Sequence, residues 1–125
     1  MGRARAEFLS IRRNVQKTHL ISSHLISPAP PKEWYNPSGE VKAVCVVTHG
    51  IDTHSGRNSY TYVEYLCKAG YAVMSMDLEG HGRTDGVHSY VPDYVEAATD
   101  VAEYVRMCKA RFPDKKIFII GHSVG

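Results

Sequence analysis

A chain of 125 residues has room for one domain with a real core. Its 43% apolar and 22% charged residues are ordinary for a soluble globular protein, and no apolar run approaches the length that a membrane helix needs. The net charge of +2 is unevenly placed: Arg3, Arg5, Arg12, Arg13 and Lys17 stand against Glu7 in residues 1–19, so this arm is +4 and the remainder −2, with no broad basic surface for nucleic acid.

Residues 1–19 lack the uninterrupted apolar stretch of a secretory signal. Met1-Gly2 opens like a myristoylation site, but Ala6 occupies the position of the required Ser or Thr. The arm reads first as a mobile basic tail. A transit peptide, or a membrane-surface helix with Phe8, Leu9, Ile11 and Val15 as its apolar side, is the second reading. Residues 18–27 alternate in part and suit one or two short strands. Pro28, Pro30, Pro31, Pro37 and Gly39 then mark a loop to about residue 40.

From Val41 the signals sharpen. Residues 41–48 are a β-branched, nearly continuous apolar run, as expected of a strand buried on both faces, and His49-Gly50 ends it. Tyr60, Val63, Leu66 and Cys67 fall at helical spacing over residues 59–69, with Gly70 as the stop. Residues 71–76 form a second strand closed by Asp77, and a polar, Gly-rich loop follows over residues 79–86.

Tyr94, Val95, Ala98, Val101, Ala102, Val105, Cys108 and Phe112 then step by three and four, which predicts an amphipathic helix. Asp93 and Glu96 resemble a capping box at its start. Arg106, Lys109 and Arg111 suit its negative end, and Pro113 stops it. Ile117–Ile120 make the third strand. Cys45, Cys67 and Cys108 all fall on predicted buried faces with no C-x-x-C, so they read as buried thiols rather than disulfides or ligands.

Strands alternating with helices imply βαβ crossovers and a parallel sheet, whose functional groups gather at the carboxyl ends of the strands. Those ends carry His49-Gly50, Asp77 and Gly121-His122-Ser123-Val124-Gly125. The last is G-x-S-x-G directly after an apolar run. This is the pattern of a nucleophile elbow, in which a strained turn holds a serine hydroxyl out at the top of a sheet. A dinucleotide site is excluded by spacing, because Gly80, Gly82 and Gly86 leave three residues in the second gap where G-x-G-x-x-G needs two. A metal site on His49, Asp52 and His54, or on His81 and His88, lacks any standard ligand spacing. No cofactor is expected.

Three blocks resemble the α/β-hydrolase superfamily, and within it the monoacylglycerol lipase and lysophospholipase branch, often labelled serine aminopeptidase-like. They are His49-Gly50 with His54-Ser55-Gly56-Arg57, the run Asp77-Leu78-Glu79-Gly80-His81-Gly82-Arg83-Thr84-Asp85-Gly86, and Gly121-His122-Ser123-Val124-Gly125. The resemblance covers residues 41–125, which would be a partial hydrolase domain behind an arm of residues 1–40.

That resemblance implies Ser123 as nucleophile, forming an acyl-enzyme from an ester. It implies the backbone N–H groups of Ile51 and Val124 as oxyanion donors. His49, Gly50, Gly121, His122 and Gly125 would support the loop and the elbow, and the Gly80-His81-Gly82 loop would be scaffold. The family often has Gly at the position of Asp52, Tyr at that of Asn58 and Met at that of Val124.

The implied substrate is a small ester or lipid. The implied location is cytoplasmic, with peripheral membrane contact as a second reading. Peptidase activity is the alternative within the class, and a non-catalytic truncated product or binding module the alternative outside it. The triad acid and base follow the serine in this fold. Residues 1–125 alone are therefore expected to be inactive, and poorly soluble through an unpaired apolar edge on the Ile117–Ile120 strand.

Overall fold

The computed structural model describes residues 32–34 and 39–125. In chain order the elements are β1 (Lys32–Trp34), β2 (Val44–Thr48), α1 (Ser55–Lys68), β3 (Ala72–Ser75), α2 (Tyr94–Arg111) and β4 (Ile117–Gly121). The readings made for the basic arm and for residues 18–27 lie outside the described residues.

The strands form one sheet in the order β1-β3-β2-β4. β2 runs parallel to both neighbours, with Cys45 opposite Val73 on one side and Phe118 on the other. β1 pairs antiparallel with β3 through Glu33 and Met74, so a short strand falls inside the stretch expected to be loop.

The sheet is covered on both faces, as expected of βαβ units. Successive side chains of a strand point to opposite faces, which divides the core in two. Val44, Val46, Ala72 and Met74 pack with Tyr104 and Cys108 of α2. Cys45, Val47 and Val73 pack with Val63 and Cys67 of α1. Each fully buried valine contributes roughly 1.5–3 kcal/mol of transfer free energy, so this short sheet is dominated by β2 and β3.

α1 starts four residues before the predicted position. The His54 ring accepts the Gly56 N–H at 3.1 Å as an N-cap, and the first residue is tied to a distant carboxylate described below. α1 ends as predicted at Gly70. There a left-handed φ of 94° lets the Gly70 and Tyr71 N–H groups reach the carbonyls of Cys67 and Leu66 at 3.0 and 2.9 Å. α2 starts at the predicted cap, where the Asp93 carboxylate accepts the Val95 and Glu96 N–H groups at 2.7 and 3.1 Å.

The buried face of α2 differs from the predicted stripe. Tyr94, Val95, Ala98 and Ala102 are exposed, while Tyr104 and Cys108 are buried, with Val105, Met107 and Phe112 packed beside them. Only the second half of this helix docks on the sheet. Tyr104 reads as a polar-tipped aromatic in sequence, yet its ring lies in the core and its hydroxyl donates to the Ser75 carbonyl at 3.4 Å. β4 is an edge strand among the described residues, and Phe118 and Ile119 are more than half exposed.

From β2 the chain steps to β3 on one side, then returns past β2 to β4 on the other. The loop after β2 and the turn after β4 lie at the carboxyl ends of neighbouring parallel strands, where functional groups of such sheets gather. His49-Gly50 and Gly121–Gly125 face each other there.

Candidate active site

The elbow is a tight turn on β4. Ser123 has φ 59°, left-handed for a residue with a side chain. Such backbone costs of order 1–3 kcal/mol and persists only when its surroundings fix it. Two hydrogen bonds do so: the Gly125 N–H donates to the His122 carbonyl at 3.0 Å, and the His122 N–H donates to the Thr48 carbonyl at 3.2 Å. The second bond clamps the elbow to the end of β2.

The glycines are required by contact. A Cβ on Gly121 would overlap the Gly125 carbonyl, and one on Gly125 would stand 2.6 and 2.7 Å from the carbonyl oxygens of Thr48 and His49. A Cβ on Gly50 would lie 2.9 Å from the Ser123 Cβ and 3.1 Å from the His122 carbonyl oxygen. Gly50 therefore lets the loop after β2 lie directly on the serine.

Ile51, which follows Gly50, and Val124, which follows Ser123, keep 43% and 40% of their surface exposed. Neither backbone N–H has a hydrogen-bond partner among the described residues. His122 is exposed in the elbow, and its Nδ1 lies 3.2 Å from the position of a Gly50 Cβ. No described histidine is hydrogen-bonded to the Ser123 hydroxyl.

His49 is 1% exposed and its ring is held by backbone groups of two loops. The Leu78 N–H donates to its Nε2 at 2.9 Å, so Nδ1 carries the proton and donates to the Gly50 carbonyl at 2.8 Å. The ring thus joins the loop after β2 to the loop after β3. Burial lowers its pKa from the ordinary histidine value. The Gly50 bond opposes that shift, His81 reinforces it, Asp77 opposes it and His54 adds to it. The His81 ring lies 5.2 Å away, tilted by 48°, and its Nδ1 is 2.8 Å from the Glu79 carbonyl oxygen.

Asp77 anchors the second layer, in a role that its place at a strand end only hinted at. Its carboxylate accepts the Ser55 N–H at 2.8 Å, the Ser55 hydroxyl at 2.6 Å and the Arg83 N–H at 3.3 Å. The start of α1 is thereby fixed to the end of β3. The Gly-rich loop closes on itself beside it, with the Gly80 N–H donating to the Asp85 carbonyl at 2.8 Å and the Ser89 N–H to the Gly80 carbonyl at 2.9 Å.

Two residues after Gly50, the exposed Asp52 is left-handed at φ 58°, a conformation that aspartate tolerates better than most residues. Its carboxylate accepts the Ser89 hydroxyl at 2.8 Å, and Ser89 is itself left-handed at φ 58°. Sequence reading did not find this pair, because its partners are 37 residues apart. Among the described residues no helix is long and apolar enough to cross a membrane.

The family model described as serine aminopeptidase, S33 matches residues 39–125. The chain is 34% identical over 93 residues to the monoglyceride lipase of Mus musculus, covering 74% of this chain and 30% of the relative. It is 32% identical over 93 residues to a monoglyceride lipase homolog of Monkeypox virus, covering 74% and 33%. It is 35% identical over 94 residues to the caffeoylshikimate esterase of Arabidopsis thaliana, covering 70% and 27%. The chain thus spans about a third of the length of these relatives.

Among solved structures, the carboxyl esterase of Bacillus coagulans in complex with glycerol matches with a TM-score of 0.64 and 29% identity over 76% of this chain and 32% of that one. The monoacylglycerol lipase of Paleococcus ferrophilus matches with a TM-score of 0.59 and 28% identity over 77% and 34%. The elbow, the loop laid against it and the Asp77 anchor therefore sit in a fold that these enzymes share, and the chain belongs to the serine aminopeptidase S33 family of α/β-hydrolases, in its monoglyceride lipase branch.

Proposed function

We propose that this chain carries the nucleophile and oxyanion half of a serine hydrolase site acting on carboxylic esters, first among them monoacylglycerols or lysophospholipids. Ser123 attacks the ester carbonyl, and the alcohol leaves as an acyl-enzyme forms on its Oγ. The Ile51 and Val124 N–H groups hold the oxyanion of the tetrahedral intermediate. One such donor is typically worth about 3 kcal/mol to the transition state.

The observation that carries this reading is the contact of Gly50 with Ser123. That contact supports the reading because Ile51 follows Gly50 and Val124 follows Ser123 in the chain, and neither N–H has a partner among the described residues. His49, Gly50, Gly121, His122 and Gly125 act as support. In the family's order the acid and base come after the nucleophile. Residues 1–125 taken alone are expected to show no ester turnover.

The substrate class is supported by the names of the relatives, monoglyceride lipase and esterase. The family's description favours peptidase activity as the second reading. An active-site-directed fluorophosphonate should label the full-length protein and fail to label Ser123→Ala. Equal labelling of both would remove Ser123 from the mechanism. Hydrolysis of amino-acid amides in preference to matched esters would favour the peptidase.

A further inference from the structure

We propose that Asp52 is a specificity-determining residue that disfavours anionic esters at this site. The inference rests on the nucleophile and oxyanion reading above and, of the two substrates named there, favours monoacylglycerols over lysophospholipids, whose alcohol part carries a phosphate.

Asp52 stands two residues beyond Gly50, whose backbone touches Ser123, so its Cα lies within about 7.6 Å of the Gly50 Cα along the chain. Its backbone is left-handed, a place that favours glycine, and yet a carboxylate is held there. The Ser89 hydroxyl fixes that carboxylate at 2.8 Å. Among the described residues no lysine or arginine pairs with it. Ile51, next to it in the chain, and Val124, next to Ser123, are both apolar and exposed.

A negative charge without a paired cation, beside exposed apolar side chains, tolerates a neutral ester and repels one that brings its own charge. In mostly aqueous surroundings, unit charges about 8 Å apart interact by an amount that changes a rate ratio about two- to sixfold. Salt screens that interaction strongly once the Debye length falls to about 3 Å, near 1 M.

The test uses the full-length protein and two esters with the same acyl chain, one with a neutral alcohol part and one whose alcohol part carries a phosphate. The readout is the ratio of kcat/KM for the anionic ester to that for the neutral one. A uniform effect on the chemical step cancels in this ratio. Asp52→Asn, which keeps the shape, and Asp52→Gly, which suits the left-handed backbone, should each raise the ratio about two- to sixfold at low salt. The gain should vanish in 1 M salt. Ser89→Ala keeps the charge and should leave the ratio low.

A ratio unchanged in both Asp52 variants overturns the proposal. So does a rise in only one of them, or a rise that persists in 1 M salt. A wild-type protein that turns over neither ester and is not labelled by fluorophosphonate overturns the reading of Ser123 itself, and this proposal with it. Labelling with an unchanged ratio leaves Ser123 in place and removes only the role of Asp52.

Discussion

Gly50 lies so close to Ser123 that a Cβ on it would stand 2.9 Å from the Ser123 Cβ. Real Cβ atoms almost never approach so near, and the neighbour on the other side is the His122 carbonyl, which is backbone and cannot swing away. Gly50→Ala should therefore separate the loop from the elbow by a few tenths of an ångström. The expected outcome in the full-length protein is at least a tenfold loss of fluorophosphonate labelling rate, because oxyanion donors act only at hydrogen-bond distance. The melting temperature should fall as well, since overpacking at a buried position against backbone costs about 1–3 kcal/mol. Unimpaired labelling would mean that the contact is incidental.

Gly125→Ala meets backbone on both sides, with the carbonyl oxygens of Thr48 and His49 at 2.6 and 2.7 Å from the new methyl group. Here the elbow must move relative to β2, and the bond from the His122 N–H to the Thr48 carbonyl goes with it. We expect a loss of about 1–3 kcal/mol, read from urea denaturation. Ser123→Gly removes the cost of left-handed backbone in the same turn and should raise stability by up to about 1 kcal/mol while abolishing labelling.

Asp77→Ala should be among the most damaging single changes in the described residues. The carboxylate is buried and receives the Ser55 N–H, the Ser55 hydroxyl and the Arg83 N–H. Removing it leaves donors from two elements without their acceptor, at about 1–3 kcal/mol for each buried group. Hydrogen exchange checks the mechanism. The first turn of α1 should lose protection at Ser55 before β2 and β3 lose theirs.

The readability of these features follows from distance along the chain. β2 and β3 were legible because continuous burial leaves a continuous apolar run, β4 because its residues are apolar even though Phe118 and Ile119 are exposed, and the cap at Asp93 and stop at Gly70 are local signals. The start of α1 was not legible, since Ser55 is fixed by Asp77, 22 residues away. The docked face of α2 was misread for a related reason. Periodicity reports which residues could be buried together, but the sheet reaches only the turns that carry Tyr104 and Cys108. At the site, Ser123 and Gly50 were legible as motif positions. The Asp52–Ser89 bond was not, because two left-handed residues in separate loops leave no pattern in either.

The buried thiols give a chemical prediction. Burial raises the pKa of Cys67 to about 11, with the nearby Cys45 adding to the shift, and burial also raises Cys45. At neutral pH almost no thiolate is present on either, and the thiolate is the reactive form. Neither should react with iodoacetamide at pH 7.5 over a time in which a free thiol reacts fully. Both should react once urea unfolds the chain. Rapid modification of Cys67 in the native state would contradict its place beside Val63 and Val73.

The His49 ring gives a pH prediction with a defined sign. Its folded pKa is lowered, first of all by burial, so below the ordinary histidine value of about 6.5 the unfolded chain binds a proton that the folded chain does not. The stabilisation is therefore fully present above pH 6.5 and is lost progressively as pH falls through the lower folded value. Protonation at Nε2 would set two N–H groups against each other where Leu78 now donates. Urea midpoints measured from pH 7.5 down to pH 5 should fall in the native protein. In His49→Gln, whose amide does not titrate, that slope should be shallower by up to one proton. A slope equal in both proteins would move the acid sensitivity to another group and leave His49 with a purely steric part in joining the two loops.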